Sequence, residues 1–217
     1  VSFSYEAEGR KILNHVSFAA RQGEITALVG PSGAGKSTIA ELIPRFWDVT
    51  EGSIEIGGVN IQDMSIHDLM EQMSFVFQES FLFSDTIFNN IALGKPGATK
   101  KQVEQAAKAA QCHDFIMALP NGYQTKIGDG GVYLSGGEQQ RVAIARALIA
   151  KPDIIFADEP TGNLDSKSGG EVMEMLQSIW KKMGKTLVII THDSRIARMA
   201  DRQFVIVDGV LSEVTAR

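Results

Sequence analysis

Apolar residues recur along the chain in a pattern that predicts alternating strands and helices. Four mostly apolar segments have the length of strands and are expected to be buried on both faces of a sheet, namely 24–30, 73–78, 153–158 and 186–191. Helical spacing predicts helices between and after them, at 36–46, 168–183 and 194–200. Strands that alternate with helices indicate an α/β fold with a parallel sheet.

Further strands are predicted towards the two ends of the chain. Alternating apolar positions favour strands at 1–5 and 12–20, and segment 52–61 has the pattern of a short hairpin. Segment 202–209 is expected to begin a final pair of strands. The ends of the chain therefore contribute β structure.

The middle of the chain has a helical pattern from 85 to 150, which includes a predicted helix at 101–111. We expect this part to be a helical subdomain, residues 79–150, inserted into a sheet protein. The sheet protein then consists of residues 1–78 plus 151–217, and the 217 residues form a single domain.

The segment LSGGEQQRVAIARAL, residues 134–148, begins its predicted helix in an unusual way. Ser135 and Glu138 have the spacing of a capping box, in which each side chain accepts from a backbone N–H of the other residue. The capping box does not account for Gly136 and Gly137, which each form helix less well than alanine by roughly 1 kcal/mol. Glycine is favoured where something approaches the backbone closely, and helix starts bind anions. Two interpretations are therefore compatible with this segment: a helix cap alone, or a helix start that binds phosphate.

The amino-acid composition limits the classes of function that the chain is expected to have. The chain is 44% hydrophobic and 22% charged, as in soluble globular proteins, and its net charge of −5 gives no reason to expect a nucleic-acid partner. The single cysteine, Cys112, is expected to be a small buried side chain. No run approaches the length of a membrane span, and the chain starts at Val1 without a signal peptide. The missing initiating methionine favours a piece of a longer protein.

Residues 30–38, GPSGAGKST, contain the pattern G-x-x-x-x-G-K-[ST] from Gly30 to Ser37, between a predicted strand and a predicted helix. The glycines allow backbone N–H groups to surround a triphosphate, and Lys36 reaches the β- and γ-phosphates as a point charge. The Ser37 hydroxyl can coordinate Mg²⁺. We expect the whole loop to bind nucleotide: Gly30, Pro31, Ser32, Gly33, Ala34, Gly35, Lys36, Ser37 and Thr38.

Polar residues follow the other buried strands, where ligands bind in parallel sheets. Asp158 is a candidate magnesium ligand and Glu159 a candidate base that polarises an attacking water; the alternative is an exposed acidic turn before Pro160. Gln78 can contact Mg²⁺ or that water, or be a simple polar end to its strand. His192 follows the strand at 186–191 in the same way.

An aromatic residue at the end of the first predicted strand, Tyr5, is a further candidate for nucleotide binding. Its ring can stack on an adenine, although an ordinary aromatic residue of a strand has the same pattern.

Together these motifs resemble the nucleotide-binding domain of ATP-binding-cassette (ABC) proteins, from Tyr5 to about Gly209. The resemblance implies a P-loop NTPase with a RecA-like, mostly parallel sheet core, an N-terminal antiparallel β subdomain and an inserted helical subdomain that carries the signature motif. It implies ATP and Mg²⁺ as cofactors. It assigns catalytic roles to Glu159, His192, Lys36 and Gln78, metal binding to Ser37, Gln78 and Asp158, adenine stacking to Tyr5, the signature to residues 134–138, and the D-loop to residues 163–165 with Asp165.

The resemblance also implies partners. In this family the start of the signature helix, here Ser135, Gly136, Gly137 and Glu138, contacts ATP held by a second nucleotide-binding domain, and two domains pack head to tail. The segment 75–94 is similar to exporters, in which it docks on coupling helices of a transmembrane domain. Phe81, Leu82 and Phe83 are then either a docking patch or subdomain core. The expected location is the cytoplasmic face of a membrane.

Two other features of the sequence depart from the exporter pattern and leave the branch of the family undecided. TGNLD at 161–165 is similar to the lipoprotein-release and macrolide-export branch, and Gly130 stands where exporters carry arginine. The transported substrate is therefore left unassigned.

Two other functions are compatible with the same fold. A soluble ABC ATPase of DNA repair, chromosome structure or translation is the first alternative, but those proteins carry coiled-coil insertions, zinc modules or tandem cassettes, and none is visible here. A regulatory nucleotide binder without hydrolysis is the second, and it is disfavoured because every expected catalytic position is filled. The favoured hypothesis is the ATPase engine of a membrane exporter.

Overall fold

The computed structural model describes residues 1–6 and 9–214. The strands are β1 (Ile25–Val29), β2 (Glu55–Ile56), β3 (Val59–Asn60), β4 (Met73–Val76), β5 (Ile154–Asp158), β6 (Thr186–Thr191), β7 (Arg202–Val207) and β8 (Val210–Val214). The α-helices are α1 (Lys36–Leu42), α2 (Ile66–Glu71), α3 (Ile87–Ala92), α4 (Lys100–Ala109), α5 (His113–Ala118), α6 (Gly136–Leu148), α7 (Ser166–Met183) and α8 (Ser194–Ala197). Short 3₁₀ turns lie at Ile61–Asp63 and Gly122–Gln124.

The chain divides into two compact units. The first consists of the described residues of Val1–Met73, Phe156–Glu159 and Thr186–Arg217, and the second of Ser74–Ile155 and Pro160–Lys185. The division predicted from the sequence, 1–78 plus 151–217 against 79–150, follows element type rather than contact, and it stays a prediction.

The sheet of the first unit has β1 at its centre. β1 pairs in parallel with β6 on one side, where Ile25 is opposite Leu187, and with β7 on the other, where Thr26 is opposite Arg202. β8 returns antiparallel to β7, and β5 lies on the far side of β6. Both β1 and β6 are almost entirely buried, as their continuous apolar sequences predict. The predicted α/β fold with a mostly parallel sheet is confirmed.

Two strand predictions in the first unit are wrong. Segments 1–5 and 12–20 form only isolated antiparallel bridges, Phe3 with Leu13 and Ser2 with Glu51. His15 has a φ of 51°, and a strand cannot continue through a residue in the left-handed region. The predicted hairpin at 52–61 is confirmed, because β2 and β3 pair antiparallel.

The helix predicted at 36–46 is shorter in the structure. α1 ends at Leu42, just before Pro44, and Arg45 has a φ of 59°. Pro44 has no backbone N–H to continue the hydrogen bonds of the helix, and the left-handed backbone at Arg45 prevents its extension.

The second unit is built around α6, which packs against α3, α4 and α7. Val142, Ala145 and Leu148, the residues that predicted this helix, are all buried. Cys112 is buried as predicted, and burial raises the pKa of its thiol to about 12. In the part of the chain that the structure describes, no helix combines the length and the apolar character needed to cross a membrane.

Candidate functional site

The loop between β1 and α1 needs glycine for two different reasons. Gly33 and Gly35 have φ values of 77° and 105°, which side chains rarely adopt. Gly30 has an ordinary φ, but a Cβ there would lie 2.2 Å from the carbonyl oxygen of Ile206. The loop conformation therefore depends on the glycines of the predicted phosphate-binding motif.

Lys36 begins α1 and is only 8% exposed. Its ammonium group donates to the backbone carbonyl oxygens of Gly30 (2.7 Å) and Pro31 (2.9 Å). The loop therefore curves around a fixed positive charge. Ser32, Gly33 and Ser37 are exposed, so the outer side of the loop is open to a ligand.

Tyr5 is fixed to the helix that follows this loop. Its hydroxyl donates to Glu41 (Oε2, 2.9 Å) and lies 3.1 Å from the hydroxyl of Thr38. The ring packs edge-on against Phe3 and Trp47, with centroid distances of 4.8 and 5.2 Å. Partial burial raises the pKa of the Tyr5 hydroxyl, so this group stays a neutral hydrogen-bond donor near pH 7. The sequence predicted Tyr5, but it gave no sign of the roles of Glu41 and Trp47.

Two adjacent carboxylates end β5 in the first unit. Burial raises the pKa of Asp158, and the negative charge of Glu159 raises it further, while the charge of Lys36 opposes the rise. Glu159 has a φ of 45°, in the left-handed region, and its backbone N–H donates to the carbonyl oxygen of Ile190. The left-handed backbone at Glu159 therefore lies directly after the end of β5 at Asp158.

The carboxylate of Glu159 is held by the end of β6. Oε1 accepts from the backbone N–H of His192 (2.9 Å) and from its ring Nδ1 (2.7 Å). Oε2 accepts from the hydroxyl of Thr191 (3.2 Å). The His192 side chain is 69% exposed, whereas that of Glu159 is 16% exposed. The structure therefore brings together Glu159 and His192, which the sequence predicted separately.

The residues near Asp158 fit a magnesium ion that is also bound by phosphate. Nowhere in residues 1–6 and 9–214 do three or more His, Cys, Asp or Glu side chains form a group able to hold a metal. Mg²⁺ typically uses one or two carboxylates together with substrate phosphates and water, so such a group is not needed. The half-buried carboxylate of Asp158, with its raised pKa, is a position that a cation would stabilise.

The start of α6 in the second unit has the predicted capping box. Glu138 Oε2 accepts from the backbone N–H and the hydroxyl of Ser135, both at 2.8 Å, and the Glu138 N–H donates back to Ser135. A Cβ on Gly136 would lie 3.2 Å from Leu164, and one on Gly137 would lie 3.3 Å from Ser168. The close approach expected at these glycines therefore occurs within the unit. Their contact with a phosphate stays a prediction.

Gln78 and the D-loop residue Asp165 also lie in the second unit. The amide of Gln78 donates to the side-chain oxygen of Asn163 (3.1 Å), and a Cβ on Gly162 would lie 2.7 Å from the same amide nitrogen. Asp165 caps α7 by accepting from the backbone N–H groups of Lys167 and Ser168. The hydrogen bond from the Ser168 hydroxyl is the largest cause that lowers the pKa of Asp165.

Comparison with known proteins decides the family. The sequence profile of the family described as ABC transporter matches residues 13–162, more than half of the chain. The chain belongs to the ABC transporter family. The match spans the phosphate loop, Gln78, the α6 start and the two carboxylates that end β5.

Similar members of the ABC transporter family are much longer than this chain. The ATP-dependent lipid A-core flippase of Syntrophus aciditrophicus is 45% identical over 98% of the chain and 35% of its own length. The Bacillus subtilis protein YgaD, named for multidrug export as an ATP-binding/permease protein, is 44% identical over 99% of the chain and 37% of its own length. The chain thus spans about a third of these curated relatives.

A solved structure agrees with the fold. A bacterial Atm1-family ABC exporter with ATP bound is 42% identical, with a TM-score of 0.88 over 98% of the chain and 37% of that exporter chain. The ABC transporter fold expected from the motifs is therefore confirmed.

Proposed function

We propose that this chain is the ATP-hydrolysing engine of a membrane exporter. The observation that carries the proposal is the Glu159–His192 pair at the end of β6, in the same unit as the glycine-dependent loop around Lys36. The names of the relatives, which describe multidrug export and lipid A-core flipping, favour export. They do not favour the soluble alternative in DNA repair or translation.

ATP binds along the outer side of the phosphate loop in this proposal. The exposed backbone of Pro31, Ser32 and Gly33 surrounds the phosphates, and the Lys36 ammonium moves from loop carbonyls to phosphate oxygens. Charge-assisted hydrogen bonds to phosphate are stronger than those to neutral carbonyls, which favours this exchange. Tyr5, fixed by Glu41, stacks on the adenine.

Magnesium is the expected metal at this site. Ser37 and Asp158 would hold it directly or through water, and we assign Gln78 to the same shell. When bound, Mg²⁺ supplies positive charge that neutralises the phosphates.

Hydrolysis requires a base at the γ-phosphate, and we assign Glu159 to this role. The oxygen of a water molecule forms a bond to the γ-phosphorus while the bond from that phosphorus to the bridging oxygen breaks. The electron pair of the broken bond remains on ADP, and the proton of the water passes to the carboxylate of Glu159. His192, hydrogen-bonded to Glu159, presents its exposed ring towards the γ-phosphate, and Lys36 balances developing charge.

A second copy or a related cassette completes the site in this proposal. Ser135, Gly136, Gly137 and Glu138 at the start of α6, together with Asp165, face the ATP of the partner, and two cassettes pack head to tail. The chain has two glycine-rich helix starts but one Lys36 and one Asp158, which supports a site shared between two chains. ATP then stabilises the closed dimer, and hydrolysis releases it.

An exposed apolar surface of the second unit suits the transmembrane partner. Phe81 and Tyr133 are 65% and 88% exposed, and Phe83 is also exposed. A cavity of about 210 Å³ lies beside them, lined by Ser80, Phe81, Leu82, Ile127, Gly128, Val132, Tyr133, Leu134 and Gln139. Exposed apolar patches mark docking sites. We assign this surface to the coupling helices of a transmembrane domain, and in this proposal the chain lies at the cytoplasmic face of a membrane.

Replacement of the proposed base tests the proposed function. Glu159→Gln is expected to lower the rate of ATP hydrolysis by about 10²–10⁴-fold, because general-base catalysis contributes that much, while the Kd for ATP stays near that of the parent. The matched control is Glu174→Gln on the exposed face of α7, which should hydrolyse ATP at the parent rate. A parent rate for Glu159→Gln would show that Glu159 is not the base.

A further inference from the structure

The two oxygens of the Glu159 carboxylate have different surroundings. A carboxylate offers about four acceptor sites, two on each oxygen. Oε1 accepts from both the backbone N–H and the Nδ1 of His192, which fills its two sites. In the part of the chain that the structure describes, Oε2 accepts only from the hydroxyl of Thr191. Oε2 therefore keeps one site for a proton from water.

Thr191 is well placed to fix the direction of that free site. It is the last residue of β6, it is 0% exposed, and its strand neighbour across the sheet is Val29. Its hydroxyl donates to Oε2 of Glu159 (3.2 Å) and accepts from the backbone N–H of Asp193 (3.0 Å). The same oxygen therefore links the carboxylate to the turn that carries His192.

The backbone conformation of Glu159 makes such support important. Glu159 has a φ of 45°, which is unfavourable for a residue with a side chain and persists only when its surroundings hold it. Thr191 and His192 provide the side-chain contacts that do so. A small rotation of the carboxylate would turn the free site of Oε2 away from the attacking water.

We propose that Thr191 is a positioning residue for the hydrolysis reaction: its hydroxyl orients Glu159 so that Oε2 receives the proton from water. This inference rests on the proposed function, since it assumes that Glu159 is the base. The sequence gives no direct sign of it, because threonine is common inside strands.

Two substitutions of Thr191 separate the hydroxyl from the shape of the side chain. Thr191→Val keeps the shape and loses both hydrogen bonds, and it is expected to lower kcat about tenfold or more with KM for ATP within about twofold, because positioning acts on the chemical step. Thr191→Ser keeps the hydroxyl and should retain at least about a third of the parent kcat. If Thr191 had a purely structural role, loss of its hydroxyl would not lower kcat while KM for ATP stays near the parent value.

Thr26 in the same sheet offers a matched control. It is also a fully buried threonine, on β1, but its hydroxyl has no hydrogen-bond partner among the described residues. Thr26→Val should leave both kcat and KM at the parent values. Thermal unfolding of all three variants shows whether any loss of activity comes from unfolding.

Comparison with Glu159→Gln distinguishes a failure of the positioning role of Thr191 from a failure of the proposed function. If Glu159→Gln abolishes hydrolysis and Thr191→Val has the parent kcat, the positioning role is refuted and the proposed base stands. If Glu159→Gln itself hydrolyses at the parent rate, the proposed function fails first. The account also requires that Thr191→Val causes no further loss in the Glu159→Gln variant, because the group that it orients is already missing.

Discussion

At the scale of single residues, Lys36 and Asp158 of the first unit differ in whether their surroundings stabilise their charge. Lys36 is buried but satisfied by loop carbonyls, whereas Asp158 is half-buried beside a second carboxylate. The motifs predicted these residues, since chemistry fixes the residue types at the strand ends. The contacts of Thr191 with Glu159 could not be predicted, because they depend on the backbone turn at Glu159, which no sequence pattern reports.

Removal of the Lys36 charge should weaken nucleotide binding. Lys36→Met keeps an apolar stem of similar length, and the loss of charge-assisted hydrogen bonds to phosphate is expected to raise the Kd for ATP by roughly 10–100-fold. A fluorescence titration with ATP measures the change. Lys101→Met, on the exposed start of α4, should bind ATP like the parent; equal binding by both variants would contradict the role of Lys36.

The pKa of Asp158 predicts a stability that depends on pH. Because burial and Glu159 raise the pKa of Asp158 above the usual value of 3.8, the folded state holds the proton more tightly than the unfolded state. The charged carboxylate therefore costs stability above the raised pKa, and this cost disappears as the pH falls towards 3.8.

Asp158→Asn removes that cost and also removes the proposed magnesium ligand. Without magnesium, we expect its thermal midpoint to exceed that of the parent at pH 7, with a difference that shrinks as the pH falls. Its magnesium-dependent hydrolysis should drop by about 100-fold or more, since electrostatic stabilisation is a large catalytic contribution. Melting curves at several pH values measure the first effect, and a midpoint at pH 7 below that of the parent would contradict it.

At the scale of elements, the structure agrees with the sequence predictions for the buried strands, the hairpin at 52–61 and the helix α6, but not for the strands predicted at 1–5 and 12–20. β1, β6 and α6 were predictable because burial on both faces or on one helix face leaves a clear pattern. Segments 1–5 and 12–20 have only alternating apolar positions and form single bridges, and His15 turns the backbone within the second segment. The capping box of α6 was predictable. The cap that Asp165 provides for α7 was not predicted, because the sequence analysis assigned Asp165 only to the D-loop.

The contact of Gln78 with Gly162, the residue just before the D-loop, gives a prediction at this scale. Gly162→Ala places a Cβ 2.7 Å from the Gln78 amide, and a flexible side-chain end can move at little cost to folding. We therefore expect an unchanged thermal midpoint but a change in kcat of about threefold or more, which vanishes when Gln78 is already alanine. Rates for the two single variants and the double variant measure this coupling. Additive effects would show that Gly162 does not act through Gln78.

At the scale of the whole molecule, the order of motifs was sufficient to predict the family and the fold, because each motif occurs at a fixed place in the chain. The proposed partner cassette could not be predicted from local patterns, only from the resemblance to the family. Gly136 and Gly137 are explained in part by close packing on Leu164 and Ser168, so their presence alone does not demonstrate a second chain. The central claim, one active site built from two chains, therefore needs a direct test.

A mixing experiment tests that claim most directly. Lys36→Met inactivates the phosphate loop, and Gly136→Asp places a carboxylate at the start of α6, where it suits the helix dipole but repels a phosphate. Each variant alone should hydrolyse ATP very slowly. In a head-to-tail dimer, one of the two sites of the mixed pair combines an intact loop with an intact α6 start, so an equal mixture should recover roughly a quarter of the parent rate. A mixture no more active than the two variants measured separately would contradict the account.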